Sequence, residues 1–252
     1  MLRPDTERLW RFLQGQSTLG GFVLVGGTAL SMHLDHRLSE DLDFMIPAPR
    51  LPRHAIEGLK RMAHASGFNF VPSDSPDGLA EFEDTGMDYL DYQQDYVVGG
   101  SVKLTLVAPD PEVKVLLRAG AADRPRVASL EEIFRLKCIA CANRSKTRDW
   151  LDMFVMLQRG LFQPLDIYRS FELAGVPTKF DIAMGRMCSG KISVLDEGYE
   201  SLLTKPPSVA DMQAYFKIVR DAIEVEVARL EALGRMPQDA LTEKNRTGKA
   251  SV

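Results

Sequence analysis

"VGGTALSMHLDHRLSEDLDFMI", residues 25–46, decides how this chain is read. An apolar run, "GFVLV", stops at Gly26-Gly27 and passes at once into a helical pattern, "TALSMHL". Glu40, Asp41 and Asp43 then crowd together at the mouth of a second apolar run, "LDFMI". One acid would suit a turn, but two aspartates one residue apart ask for another account. A strand that ends in Gly-Gly and runs into a helix leaves backbone N–H groups exposed at the helix start. With no Cβ, the glycines let an anion come close to that backbone, and phosphate is the usual occupant. Thr28 is placed to cap the helix or to touch the same ligand. If Leu42 to Ile46 is a strand, Asp41 and Asp43 share one face, while Leu42 and Phe44 point to the buried one. Two hard oxygen donors opposite a phosphate cradle suit Mg²⁺ (or Mn²⁺), which would bridge phosphate oxygens and offset charge developing during a transfer. Taken singly, Gly-Gly is usually a turn and Ser-Glu-Asp a solvated loop or cap. Strand, Gly-Gly, helix and D-x-D in one run is far more specific. Glu40 reads as a solvated neighbour.

Outward from this stretch the N-terminal half is mixed α/β. Leu9, Phe12 and Leu13 lie at helical spacing in a short opening helix. The prolines of "PAPRLP" stop the second strand, and "RHAIEGLKRMAHASGF" places Ile56, Leu59 and Ala63 on one helical face before Gly67. "SDSPDGLAEFEDTGMD" is polar and turn-rich, as in a surface loop. "YLDYQQDYVVGGSVKLTLVA" predicts two strands around a Gly-Gly turn. From about Ser129 the strands stop. Ser129 and Glu132 form a capping box, and helical segments follow, two of them ended by Gly160 and Gly175. Ser208 caps a long helix with a stripe of Val209, Met212, Phe216, Val219, Ile223, Val227 and Leu230. These patterns predict an α/β domain over residues 1–122, a helical domain over 123–234 contributing to the active-site cleft, and a polar, disordered tail over 235–252.

The chain has 252 residues and a formal charge of −4, which argues against a globally basic nucleic-acid coat. The charged start carries no signal-peptide pattern, and no apolar run suits a membrane span. Three cysteines build no disulfide framework, and a reducing, cytoplasmic setting is expected.

The motif "GGTALSMHLDHRLSEDLDF" resembles the opening motif of the AbiEii/AbiGii nucleotidyltransferase toxins of bacterial toxin–antitoxin and phage-defence systems. That family belongs to the polymerase-β-like nucleotidyltransferase superfamily. Gly26, Gly27, Arg37, Ser39, Asp41 and Asp43 stand at the places of its Gly-Gly turn, Arg-x-Ser and Asp-x-Asp. The family also carries a helix with a lysine and an Arg-Asp-x-x-Asp element, matched by Lys137, Arg144, Arg148, Asp149 and Asp152 in "LKCIACANRSKTRDWLDMF". The resemblance implies a nucleotidyltransferase-fold mixed sheet with flanking helices, followed by a helical half. It also implies an NTP substrate, an RNA acceptor such as tRNA, and a cognate antitoxin.

The second constellation can be read without the family. Lys137 lies among Leu130, Phe134 and Cys141 in an apolar stripe, with Arg144 on the same line. A cation there must be paired, snorkel out or face a polar cleft. Asp149 and Asp152, spaced i,i+3, could hold it. One reading is a structural ion-pair cluster joining two helices. The other has Lys137 contacting nucleotide phosphates, with Asp149 and Asp152 positioning that cation or assisting the acceptor. Arg144, Lys146 and Arg148 are either a solvated helix end or the start of a track for an RNA backbone.

The superfamily usually sets a third carboxylate on a later strand. "SVKLTLV" has Lys103 and Thr105 at the outward positions instead, leaving Asp91 and Asp95 on the partner strand as substitutes. Cys138 and Cys141 read as buried helix cysteines, and His33 and His36 as surface or cleft-edge residues. Three functions follow: an Mg²⁺-dependent nucleotidyltransferase, a non-catalytic nucleotide- or protein-binding module on the same fold, or a nucleotidyltransferase acting on a small, antibiotic-like acceptor.

Overall fold

In the computed structural model, which describes residues 2–84 and 86–234, the opening periodicity becomes α1 (Pro4–Leu13). Its proline sits in the first turn, where the missing N–H is no loss. The tail expected to be disordered, 235–252, lies outside the described residues. The run "VLV" is β1 (Val23–Val25), followed directly by α2 (Gly26–Leu34) and then β2 (Leu42–Met45). α3 (Arg53–Ala65) buries Ile56, Leu59 and Ala63 as their spacing requires. β3 (Phe70–Pro72), too short to announce itself, follows.

The stretch expected as a surface loop contains α4 (Pro76–Asp84). The helix has a local cause: Pro76 and Asp77 open it, and the Leu79 N–H reaches the Ser75 carbonyl. Phe82 then packs edge-on against Tyr89. The hairpin is present as β4 (Gln93–Val98) and β5 (Val102–Val107), joined through Gly99 and Gly100, both at positive φ. A short helix, α5 (Pro111–Lys114), and β6 (Arg126–Val127) complete the α/β part.

The six strands form one mixed sheet in the order β3-β4-β5-β2-β1-β6. β2 runs antiparallel to β1 and parallel to β5, so the strand carrying the aspartates is internal. Register sorts the side chains into rows. Gln94, Leu106, Phe44 and Leu24 are paired in sequence across four strands, and all are buried. Trp10 of α1 stacks on Phe44, and Lys60 of α3 lies over Tyr96, so both helices cover this face. The alternate row, Asp95, Thr105 and Asp43, projects to the opposite face and is only partly buried.

The chain divides into two compact units, Met1–Ile133 and Phe134–Val252. The division falls inside α6 (Leu130–Asn143). Its start has the expected reciprocal cap: the Glu132 N–H donates to Ser129 Oγ, and the Ser129 N–H donates to Glu132 Oε2. Glu132 is buried and also accepts two bonds from the Arg126 guanidinium and one from the Arg118 N–H. Burial opposes its charge, but these donors prevail and pull its pKa from 4.5 down to about 2. A folded-state pKa below the unfolded one stabilises the fold above about pH 4.5, and the contribution is lost as pH falls toward 2. Glu132→Gln is therefore expected to lower stability at pH 7 by about 3 kcal/mol and to flatten the acid limb of urea midpoints between pH 4.5 and 2.5.

The second unit is helical: α7 (Thr147–Gln158), α8 (Pro164–Leu173), α9 (Lys179–Ser189) and α10 (Val209–Ala232). α7 and α8 are followed by Gly160 and Gly175 at positive φ. Ser208 caps α10, whose Met212, Phe216, Val219, Ile223 and Leu230 are buried. Phe134 stacks on Phe162, and Phe180 meets both Tyr168 and Phe171. Among the described residues, no helix is long and apolar enough to cross a membrane.

Candidate functional site

The glycine pair is explained by what approaches it. Gly26 has φ +73°, and a Cβ there would lie 2.5 Å from Oδ2 of Asp43. A Cβ on Gly27 would run into the guanidinium of Arg37. The start of α2 thus has a carboxylate on one side and a cation on the other. The positive end of the helix favours the Asp43 anion. Gly26→Ala combines a left-handed backbone with this collision, and is expected to cost about 1–2 kcal/mol in urea unfolding.

Asp43 is level with Val25 on β1 and with Thr105 on β5. Asp41 precedes β2 and, like Asp43, is partly exposed, whereas Leu42 and Phe44 are fully buried. The alternation expected from "DLDF" holds. Two partly exposed hard oxygen donors fit Mg²⁺ or Mn²⁺, ions that take one or two carboxylates and complete their shell with water and phosphate. They do not form an all-protein cage. Among the described residues, no three His, Cys, Asp or Glu side chains converge as a metal site.

Thr28 and Ser39 are buried, and they meet each other. The Thr28 hydroxyl donates to the Asp41 carbonyl, so across the 2.7 Å contact between the two hydroxyls Ser39 is the donor. Ser31, one turn further along α2, donates to the Arg37 carbonyl. Residues 37–41 are therefore fastened to α2 by hydroxyls at i and i+3, a spacing visible in "TALS". From the other side, the Arg3 N–H donates to the Ser39 carbonyl and Thr6 Oγ1 to the Glu40 carbonyl. Glu40 is paired with Arg3 rather than merely solvated. His33 bonds the Ala128 carbonyl through Nε2.

The two acids proposed as substitutes on the hairpin have different fates. Asp91 lies in the turn before β4 and is paired with Arg50 and Arg53. Asp95 lies on β4, level with Thr105, and accepts its hydroxyl at 2.7 Å.

In the helical unit, Lys137 Nζ lies 2.7 Å from Asp149 Oδ1 and 2.7 Å from Asp152 Oδ2. The three side chains are 8%, 2% and 0% exposed. Arg144 donates to both oxygens of Asp149 while remaining half-exposed. Burial disfavours the Asp149 charge, yet Lys137 and Arg144 outweigh it and hold its pKa below the ordinary value. Arg148 turns elsewhere, donating to the Gly198 carbonyl and pairing with Glu197. Asp196 accepts both the Thr147 N–H and its hydroxyl, a partner that local spacing could not reveal. Cys138 and Cys141 are fully buried, which drives both thiol pKa values upward.

Two solved structures resemble the chain. One is JHP933 from Helicobacter pylori, at 17% identity and TM-score 0.48, covering 93% of this chain and 100% of that one. The other is a candidate nucleotidyltransferase from H. pylori, at 18% identity and TM-score 0.48, covering 87% and 95%. No curated protein matches. A family model described as nucleotidyl transferase AbiEii toxin, Type IV toxin–antitoxin system, matches residues 11–184, a span that contains both constellations. The chain belongs to the AbiEii nucleotidyltransferase toxin family.

Proposed function

We propose that this chain transfers a nucleoside monophosphate from an NTP to a hydroxyl of RNA, with Mg²⁺ or Mn²⁺ held by Asp41 and Asp43. The observation that carries this reading is the pair of partly exposed aspartates, Asp43 on β2 and Asp41 just before it, with Asp43 set against the glycine that opens α2. Family membership supports the reaction class. A divalent cation bound there would neutralise triphosphate charge and hold the departing pyrophosphate. Gly26 and Gly27 keep Cβ atoms away from the start of α2, and Arg37 brings a planar donor beside it for phosphate oxygens. Thr28 and Ser39 act by holding the Asp41 carbonyl and, with it, the direction of the carboxylates. Asp149 and Asp152 hold the Lys137 ammonium in place for a phosphate, while half-exposed Arg144 suits an RNA backbone. The acceptor oxygen attacks the α-phosphorus in line. Its bond to phosphorus forms as the bond to the bridging oxygen breaks, and pyrophosphate leaves.

As a toxin, the protein would act in the cytoplasm, opposed by a cognate antitoxin, in a toxin–antitoxin or phage-defence setting. The test is transfer of α-³²P label from each NTP to total bacterial RNA and protein, with Asp41→Asn and Asp43→Asn as controls. Label in RNA that both variants lose supports the reading. Equal labelling by wild type and variants, or label in protein alone, defeats it. Lys103 and Thr105 on β5 favour a second reading, nucleotide binding without turnover. That reading predicts calorimetric NTP binding with no pyrophosphate release.

A further inference from the structure

An attacking hydroxyl must lose its proton, and carboxylates committed to a cation are poor acceptors for it. Among the described residues, the sheet offers one other carboxylate in the same row. Asp43 pairs in register with Thr105, and Thr105 with Asp95, so the three side chains share a face at successive strand spacings of about 5 Å. All three are partly exposed. The surroundings of Asp95 separate it from every other acid of the hairpin. Its Oδ2 accepts from Gln93 Nε2 at 2.7 Å and from the Tyr89 hydroxyl at 3.4 Å, and its Oδ1 accepts from Thr105 at 2.7 Å. These donors are neutral, and Tyr89 stays protonated because burial, together with Asp95 and Asp74, pushes its pKa up to about 12. Asp91, by contrast, is neutralised by two arginines.

The single proton of Thr105 is committed to Asp95. Its oxygen therefore presents only lone pairs to anything else on that face. A hydroxyl normally able to donate or accept has become an acceptor, placed one strand from Asp43.

We propose that Thr105 receives the acceptor hydroxyl and that Asp95 is the positioning residue behind it, taking the proton through Thr105. The acceptor O–H proton passes to Thr105 Oγ1 as the Thr105 proton passes to Asp95 Oδ1. The new oxygen–phosphorus bond forms, the bond to the bridging oxygen breaks, and pyrophosphate carries off that electron pair. Asp95 then returns its proton to water. This rests on the transfer reading above and adds the fate of the proton.

Asp95→Asn tests it well, because the amide oxygen can still accept from Thr105 and preserve the geometry while removing the basic site. The assay is single-turnover labelling of total bacterial RNA with α-³²P NTPs and Mg²⁺, beside calorimetric affinity for each NTP. Asp95→Asn and Thr105→Val are expected to lose roughly 10²-fold in rate with NTP affinity within about threefold, while Thr105→Ser stays within about fivefold of wild type. An undiminished rate in Asp95→Asn, a dead Thr105→Ser, or NTP affinity lost with the rate overturns the proposal and leaves the transfer reading standing. Wild type that labels nothing overturns both.

Discussion

Asp41→Asn and Asp43→Asn will each lower nucleotide incorporation by roughly 10²- to 10³-fold while leaving the fold intact. The expectation comes from the separation of roles along β2. Leu42 and Phe44 anchor the strand in the core, so an isosteric change on the opposite face removes no packing. The backbone is held independently, by pairing with β1 and β5 and by the bond from Thr28 to the Asp41 carbonyl, which survives loss of the carboxylate. The stability cost at Asp43 includes the loss of an anion at a helix N-terminus, about 0.3–1 kcal/mol. The amide keeps one oxygen but loses the formal charge that balances a cation and triphosphate. Labelling assays read the activity, and urea midpoints check the fold. Either variant retaining more than a tenth of wild-type labelling would remove the carboxylates from the chemistry.

The second large effect is on stability. Lys137→Met should destabilise the helical unit by about 3–5 kcal/mol, read as a fall in its urea midpoint. Lys137 bridges two carboxylates with essentially no exposure, and methionine supplies similar bulk without the charge. The desolvation already suffered by Asp149 and Asp152 then goes uncompensated by the ammonium. Replacing Lys137 and Asp152 together with apolar residues should recover part of the loss, since a buried pair replaced as a unit is often near neutral. Recovery of stability without recovery of labelling would assign the Lys137–Asp152 pair a role beyond holding the two helices. A single variant that unfolds as wild type does would refute the burial argument.

The centre of this reading was legible because its signals are local. Strand, glycine pair and helix lie within a dozen residues, and the alternation of "DLDF" needs only a period of two. Lys137 was legible as a problem, since a cation in an apolar stripe demands a partner, and Asp149 and Asp152 at i,i+3 were ready to be that partner. Other features were hidden by distance or brevity. β3 and β6, at three and two residues, have no periodicity and exist through their partners. α4 was masked by its polar, glycine-containing composition, and is stabilised by an aromatic contact outside itself. Local spacing reads Arg148 as a solvated helix end or part of an RNA track, and does not show that it bonds a residue some fifty positions later, as does Thr147. Ser39 stands in the motif and Thr28 follows its glycines, but only the fold could reveal that the two face each other.

The strand order also bears on when, during synthesis, the aspartates are first held in place. β1 finds its parallel partner β6 only about a hundred residues later, and β2 must wait for β5 at Val102–Val107. Until the ribosome has released that later segment, β2, which carries Asp43 and follows Asp41, lacks one of its two neighbours. A chain interrupted before Val107 carries the full D-x-D motif but lacks part of the β5 pairing that holds β2. The order of strands acts as a delay on the toxin's own maturation.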